Sequence, residues 1–321
     1  MADTRVPTPE LVIVLVALGA LLLAMVLARR RLLLAAAGLV SVMVSAVWMC
    51  TVPPHPQFRS GVLEMTAIDV GRGDSILLVS PQGKTLLVDA GGLPQWMHSD
   101  FDIGEDVVSP YLWSRGIHRL DAVAITPAHS DHMGGMAAVL ANFHPRELWL
   151  GVESRSPELQ KLLEDAKRLG VVVIHRKAGD NIELGGSTVS ILAPASNFGG
   201  STLGRNDDSL VMKISFGQTS ALLEGDAEKR EEQLIAREQP QADLLKIAHH
   251  GSATSTIPEL LAAVRPHFAV ISSGVRNVYG HPRMEVLNRL EQSKVATYRT
   301  DLNGAVTFYL DGKGVSALVV H

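Results

Sequence analysis

The sequence predicts an α+β fold, an αββα sandwich of two mixed sheets with helices outside, preceded by a two-helix transmembrane hairpin. Three observations carry this. Two charge-free apolar runs fill most of the first fifty residues. From Gly61 onward, short apolar runs come first as hairpins and then alternate with longer amphipathic stretches. That order recurs loosely in the two halves of the remainder, as expected for two packed sheets covered by helices.

The hairpin comes first. Residues 11–28 and 32–50 contain no Asp, Glu, Lys or Arg. At about 1.5 Å per residue each run is roughly 27–29 Å long, close to the hydrocarbon thickness of a bilayer. Arg29, Arg30 and Arg31 between them leave room only for a tight turn. The positive-inside rule keeps that turn cytoplasmic and sends both outer ends to the other side, with Trp48 placed as an interfacial anchor. A cleaved signal peptide fits poorly, because Asp3 and Glu10 outnumber Arg5 before the first run and an equally long second run follows. Buried core helices are disfavoured by the length of the charge-free runs. A lipoprotein reading of Cys50 fails because Val47, Trp48 and Met49 are not small residues. The expected location is the cell membrane, multi-pass, with the soluble domain periplasmic or extracellular. Pro53, Pro54 and Pro56 make residues 51–60 a stiff linker, and residues 61–321 form the domain.

Composition narrows the chemistry. With 29 basic and 33 acidic residues the net charge is −4, so no global basic field holds nucleic acid by phosphate neutralisation. One cysteine, Cys50, excludes an internal disulfide and any cysteine-built zinc site. A metal must therefore be held by histidine and carboxylate, and all twelve histidines lie after residue 50.

Strands are predicted at 63–69, 75–79, 85–89, 122–126, 147–150, 171–175, 188–192, 209–215, 220–224, 244–248, 268–272, 296–299 and 305–310. Helices are predicted at 105–115, 133–142, 157–169, 227–237, 258–264 and 282–292, with Pro258 and Pro282 suited to a first helical turn.

Five strand ends carry the chemistry. In Asp69-Val70-Gly71-Arg72-Gly73-Asp74-Ser75 the glycines allow a tight turn between strands; taken alone, this is a hairpin. Asp89 ends an apolar strand before Gly91 and Gly92, a position where carboxylates orient metal ligands. The segment Thr126-Pro127-Ala128-His129-Ser130-Asp131-His132 follows a buried strand. A turn there can aim His129, Asp131 and His132 at one point, and imidazole and carboxylate suit zinc or manganese. The plainer alternative makes Asp131 an N-cap and the histidines loop residues. Asp226, in Glu224-Gly225-Asp226, either meets a metal or caps a helix at Ala227; by itself, capping is the simpler account. His249 and His250 stand together at another strand end, where two neighbouring imidazoles are hard to satisfy structurally, and Ser252, Thr254 and Ser255 after them could donate to a phosphate. His281 precedes a helix start, where unpaired N–H groups attract anions, although turn chemistry serves equally well. Each signal is weak and their conjunction is not. His55, His98, His118, His144, His175, His267 and His321 have no such context and read as surface or packing residues.

With these residues in place a family becomes recognisable. Asp-Val-Gly-x-Gly-Asp-Ser, Val-Asp-x-Gly-Gly, the His129–Asp131–His132 cluster, Gly-Asp, His-His-Gly-Ser and Asn277-x-Tyr279-Gly280-His281-Pro282 resemble the metallo-β-lactamase-like domain of the ComEC DNA-internalisation competence proteins. Tyr298-Arg299-Thr300-Asp301 with Gly304 is similar to that domain's closing segment. The resemblance spans about residues 61–310 in the family's order. The family's large channel-forming region has no counterpart here, so the expected chain is not itself the DNA channel.

The resemblance implies that Asp131, His132, Asp226 and one of His249 or His250 hold one metal, with His129 and Asp226 contributing to a second. It implies Asp131 and the histidine of the 249–250 pair not bound to metal as catalytic groups. Asp69, Asp74, Asp89, Asn206, Ser252 and His281 would orient those ligands or meet substrate. Pro127 occupies the place of the wider fold's first motif histidine, and proline cannot ligate, so one site holding Zn2+ or Mn2+ is expected rather than two. The implied function is a membrane-anchored phosphodiesterase or nuclease related to DNA uptake, with single-stranded DNA and a separate uptake-channel protein as partners. Two alternatives stay open: a catalytically degenerate binding module, and a hydrolase of a cell-envelope phosphoester or acyl ester.

Overall fold

A computed structural model describes residues 11–28, 31–52, 56–93, 99–195, 205–275 and 277–319. Arg29 and Arg30 of the predicted turn, the charged residues before residue 11, Pro53, Pro54, His55, His98 and His321 lie outside the described residues. The chain divides into two compact units, Met1–Gln57 with Pro110–His118, and Phe58–Ser109 with Arg119–His321.

In the first unit, α1 (Leu11–Leu27) and α2 (Leu32–Thr51) pack as a helical hairpin. Small residues let them approach: a Cβ on Gly38 would stand 2.7 Å from the Cβ of Ala24, and Ala24 and Ala35 are among the few buried side chains. Leu15, Leu22, Leu33 and Val44 face outward, exposed. The pair thus meets through small residues and leaves its large apolar side chains outside. Helix α2 is long and apolar enough to cross a bilayer, with mean hydropathy 2.2, whereas α1 is a shorter apolar helix of 17 residues.

The second unit holds two sheets. The first runs in the order β15 (Val315–Val319), β14 (Val306–Leu310), β1 (Leu63–Ala67), β2 (Ile76–Val79), β3 (Thr85–Val88), β4 (Ala122–Ile125), β5 (Glu147–Leu150) and β6 (Val172–His175). The second runs β13 (Ala296–Arg299), β12 (Phe268–Ile271), β11 (Leu244–Lys246), β10 (Thr219–Leu223), β9 (Val211–Phe216), β8 (Ser187–Ala193) and β7 (Asn181–Leu184). Both are mixed: pairings are antiparallel from β15 to β3 and from β7 to β10, and parallel from β3 to β6 and from β10 to β13. Facing side chains of the two sheets, among them Met65, Leu78, Trp149, Met212, Leu223 and Phe308, form one continuous buried core. A second core lies between the outer face of the second sheet and α7 (Lys229–Arg237), α8 (Pro258–Val264) and α9 (Met284–Gln292). On the first sheet's side, α5 (Met136–Phe143) and α6 (Pro157–Arg168) bury Val139, Leu140, Phe143 and Leu159. This is the predicted αββα arrangement.

The differences have physical reasons. Strands β7 and β15 were not predicted; both are edge strands, each paired on one side only, and β7 reads Asn-Ile-Glu-Leu, with little apolar pattern to find. The predicted helix 105–115 is a π-helical turn at Gly104–Val108 leading into α3 (Ser109–Ser114). The helix predicted at 133–142 divides into a short α4 (Ser130–Met133) and α5 around Gly134 and Gly135. Pro258 occupies the first turn of α8, but Pro282 precedes α9 rather than opening it, and α7 begins at Lys229, not Ala227.

Candidate metal centre

The carboxyl ends of parallel strands are where open sheets gather binding groups, and both sheets deliver residues there. Asp89 follows β3, and Thr126 to His132 follow β4. Asp226 follows β10, His249 and His250 follow β11, and Ser272 follows β12. Glycines let the loops meet. Gly73 sits at φ +85, and a Cβ there would lie 1.6 Å from the carbonyl oxygen of Asp131, so the turn after β1 can press on the Asp131 loop only without a side chain. His249 and His250 are both left-handed, at φ 48 and 53, followed by Gly251 at φ 80. Two consecutive non-glycine residues in that region are costly and persist only where surrounding structure imposes them.

His132 is fully buried between two carboxylates. Its Nδ1 lies 2.8 Å from Asp89 Oδ2, and its Nε2 lies 3.0 Å from Asp226 Oδ2. Asp89 is itself fixed by Thr126, which donates its backbone N–H (2.8 Å) and hydroxyl (2.6 Å). His250 hydrogen-bonds through Nδ1 to the Ser272 carbonyl oxygen at 3.1 Å, and its Nε2 lies 3.6 Å from Asp131 Oδ2 and 3.7 Å from Asp226 Oδ1. The His132 and His250 rings are 5.4 Å apart. Asp131 and Asp226 therefore share one small space with two imidazoles. Asp131 does not cap α4, and Asp226 does not cap α7, so neither capping alternative is realised.

Proton affinities follow from this crowding. Burial disfavours imidazolium at His132, but Asp226 and Asp89 outweigh it and raise the pKa well above its usual value. His250 is pushed up to about 10, with Asp74 and Asp226 overcoming the same burial penalty. Conversely, burial opposes ionised Asp226, yet His132 and His250 bring it down to about 2, and Asp131 is lowered by His250 and His132.

The remaining predicted residues fall on two sides of a boundary. A cleft of about 430 Å³ is lined by His129, Asp131, Asn206, Asp226, His249, His250 and His281, among others. Among the described residues, two groups could hold a cation, Asp131–His132–His250 and Asp74–His132–Asp226; neither contains His129 or His249. His249 instead lies 3.2 Å from Glu228 Oε1, a carboxylate that also accepts from Asn206 and Thr254. Two of the expected groups lie away from the cleft. Asp69 is not brought to the cleft but accepts the Gly71 N–H in its own turn. Ser252, Thr254 and Ser255 are spent on local structure rather than turned to an anion: Ser252 Oγ pairs with Thr254 Oγ1, and Ser255 Oγ donates to the Ala248 carbonyl.

Lys246, Glu228, Arg72 and Tyr279 were not singled out in the sequence. Lys246, 1% exposed, pairs with Asp74 at 2.6 Å; a lysine inside the apolar run Leu244–Ala248 was the available signal. Arg72 donates to the Tyr279 hydroxyl at 2.9 Å on the cleft wall.

The donor chemistry fits a divalent cation. His132 Nε2, His250 Nε2, Asp226 Oδ1 and Asp74 Oδ1 are buried and have no hydrogen-bond partner among the described residues. Buried polar atoms are rarely left so, and here they are nitrogen and carboxylate donors around one point. The sequence profile of the metallo-beta-lactamase superfamily matches residues 68–275, which contain every one of these groups. The chain belongs to the metallo-beta-lactamase superfamily. This membership implies a divalent-metal site.

Within the superfamily, the likeness to competence proteins read from the motifs holds. The chain is 34% identical over 257 residues to ComE operon protein 3 of Bacillus subtilis (strain 168), covering 76% of this chain and 33% of that protein. It is 31% identical over 258 residues to competence protein ComA of Neisseria gonorrhoeae, covering 79% and 33%. The chain thus spans about a third of the length of these relatives. The metallo-beta-lactamase fold protein YhfI from Bacillus subtilis shares the fold with a TM-score of 0.51 at 14% identity, over 77% of this chain and 99% of that one.

Proposed function

We propose that this protein is a membrane-anchored, metal-dependent hydrolase of phosphodiester bonds that serves DNA uptake, with its catalytic domain outside the cytoplasm. The observation that carries it is the meeting of Asp131, His132, Asp226 and His250, from three separate loops, around buried donor atoms that lack hydrogen-bond partners among the described residues. The relatives named as competence proteins support the biological context. The apolar hairpin supports the anchor, inserted through both α1 and α2 with the Arg29–Arg31 turn inside.

Asp131, His132, Asp226 and His250 would hold one Zn2+ or Mn2+. Bound there, a divalent ion would supply an acidified water and Lewis-acid polarisation of a phosphoryl group. The protein's own groups prepare for this. Asp89 accepts a hydrogen bond from His132 Nδ1 and the Ser272 carbonyl oxygen accepts one from His250 Nδ1, so each imidazole presents Nε2 to the centre. Asp131, on the cleft wall, is placed to orient or deprotonate the attacking water. His249, beside Glu228, is placed to give a proton to the leaving oxygen. His281 and Asn206 line the substrate side. Burial, together with the neighbouring His249 and His250, lowers the pKa of His281.

The test is direct. Full-length protein in detergent is analysed for bound metal and assayed on bis-nitrophenyl phosphate and single-stranded DNA. One transition-metal ion per chain with metal-dependent turnover is expected; no ion and no turnover would end the reading. Metal without turnover on any phosphodiester would favour the binding-module alternative that Pro127 suggests. Turnover confined to another ester would favour an envelope substrate.

A further inference from the structure

Lys246 is among the largest side chains buried completely, and it sits at the floor of the centre without reaching the cleft. Its Nζ donates to Asp74 Oδ2 at 2.6 Å and to the Ile247 carbonyl at 2.9 Å. The pair joins the second sheet, at the end of β11, to the first, at the start of β2, across 172 residues of sequence. Asp74 also belongs to one of the two possible cation groups, Asp74–His132–Asp226, while Asp131–His132–His250 is the other. Both groups draw on His132, whose Nδ1 is committed to Asp89. With only Nε2 remaining, His132 can serve one ion.

We propose that the buried ammonium of Lys246 is a built-in cation that neutralises Asp74 and withholds it from coordination, so that the centre takes one divalent ion, on Asp131, His132, His250 and Asp226. The proposal rests on the metal-centre reading above and specifies its ligands. An ammonium this deeply buried needs an ionised partner, because without one it would stand in a low-dielectric interior with no counter-charge. The other buried carboxyl near it, Glu224, accepts no hydrogen bond from Lys246, whose Nζ is directed to Asp74 and the Ile247 carbonyl, so it offers no substitute. Drawing Asp74 onto a divalent ion would both strand Lys246 and set a second positive charge beside it. Lys246 thus decides which of the two groups can bind, and Asp74 serves as a positioning residue, its free Oδ1 lying 3.5 Å behind His250 Nδ1.

The experiment counts metal. Full-length chain is stripped with chelator and equilibrated with Mn2+ or Zn2+, ions per chain are measured by elemental analysis, and folding is checked by circular dichroism. The wild-type chain is expected to hold one ion. Lys246→Met frees Asp74 for the alternative group, so it is expected to keep one ion when His250→Asn is added, whereas His250→Asn alone loses it. The paired variant Lys246→Met with Asp74→Asn, which neutralises both partners, is expected to hold one ion, with affinity within about tenfold of wild type, the lower range for groups behind metal ligands. Two ions on the wild-type chain, loss of the ion from a folded Lys246→Met with His250→Asn, or loss of the ion from the paired variant would each overturn the proposal. Should Lys246→Met fail to fold, the paired variant decides alone. No ion on the wild-type chain would refute the metal centre itself, a failure distinct from the other three.

Discussion

His132 Nδ1 and Asp89 Oδ2 stand 2.8 Å apart, both buried, joining the end of β3 to the loop after β4 across 43 residues of sequence. This contact fixes which imidazole nitrogen is left for the centre, and Thr126 in turn fixes Asp89 through two hydrogen bonds. Asp89→Ala is expected to weaken Mn2+ or Zn2+ binding by about 10–100-fold, the usual cost of removing a partner behind a ligand. Equilibrium dialysis measures it; unchanged affinity would show that His132 needs no such support.

The two histidines of the 249–250 pair are expected to separate by function. His250→Asn removes a ligand and should abolish stoichiometric metal. His249→Asn should leave the metal count unchanged and lower kcat by about 10²–10⁴-fold, the range of a lost general acid. Metal analysis alongside steady-state kinetics checks both, and the opposite pattern would exchange their roles.

The pH dependence of the metal-free protein follows from His250, whose pKa rises from an ordinary 6.5 to about 10 on folding. A raised value means that its stabilising contribution is complete below about 6.5 and is lost as pH climbs through about 10. Thermal unfolding of chelated protein should therefore shift to lower temperature between those limits. Metal requires neutral Nε2, so its affinity should increase with pH over the same window, with protons released on binding. Calorimetry in two buffers of different ionisation enthalpy would count them.

Gly73→Ala would place a methyl group 1.6 Å from the Asp131 carbonyl oxygen at a positive φ. A backbone atom cannot step aside cheaply, so a loss of about 2 kcal/mol or more is expected, at the severe end of single substitutions. Urea unfolding followed by circular dichroism tests it; a loss below about 0.5 kcal/mol would mean that the two loops separate easily.

Cys50 is exposed near the end of α2 and is the protein's single thiol. If the hairpin is inserted with its arginine turn inside, a membrane-impermeant maleimide should label Cys50 on intact cells. Labelling only after lysis would reverse the proposed orientation.

Much of this molecule could be read before its structure. Among the described residues, period and length placed thirteen of the fifteen strands within a few residues, because apolar runs in a two-layer core must be short and bounded by turn residues. The strand-end signals at Asp89, His132, Asp226 and His250 pointed to one place because parallel strands deposit their loops on a common edge. What escaped was of another kind. Lys246 reads as a surface residue by default, and nothing local couples it to Asp74, 172 positions away. The choice between His249 and His250 was equally invisible: adjacent residues share a loop, and only their left-handed backbone turns one inward and the other toward Glu228.

The sequence by itself determined the αββα architecture, the apolar hairpin and the identity of the groups available to bind a metal, since these depend on pattern and residue chemistry. The tertiary structure decided which of those groups meet, that Asp69 and Ser252 stay with their own turns, and that Asp74 is already claimed by a buried lysine. The reason is physical. Burial and charge pairing are set by neighbours distant along the chain, and a carboxylate's role depends on which cation reaches it first.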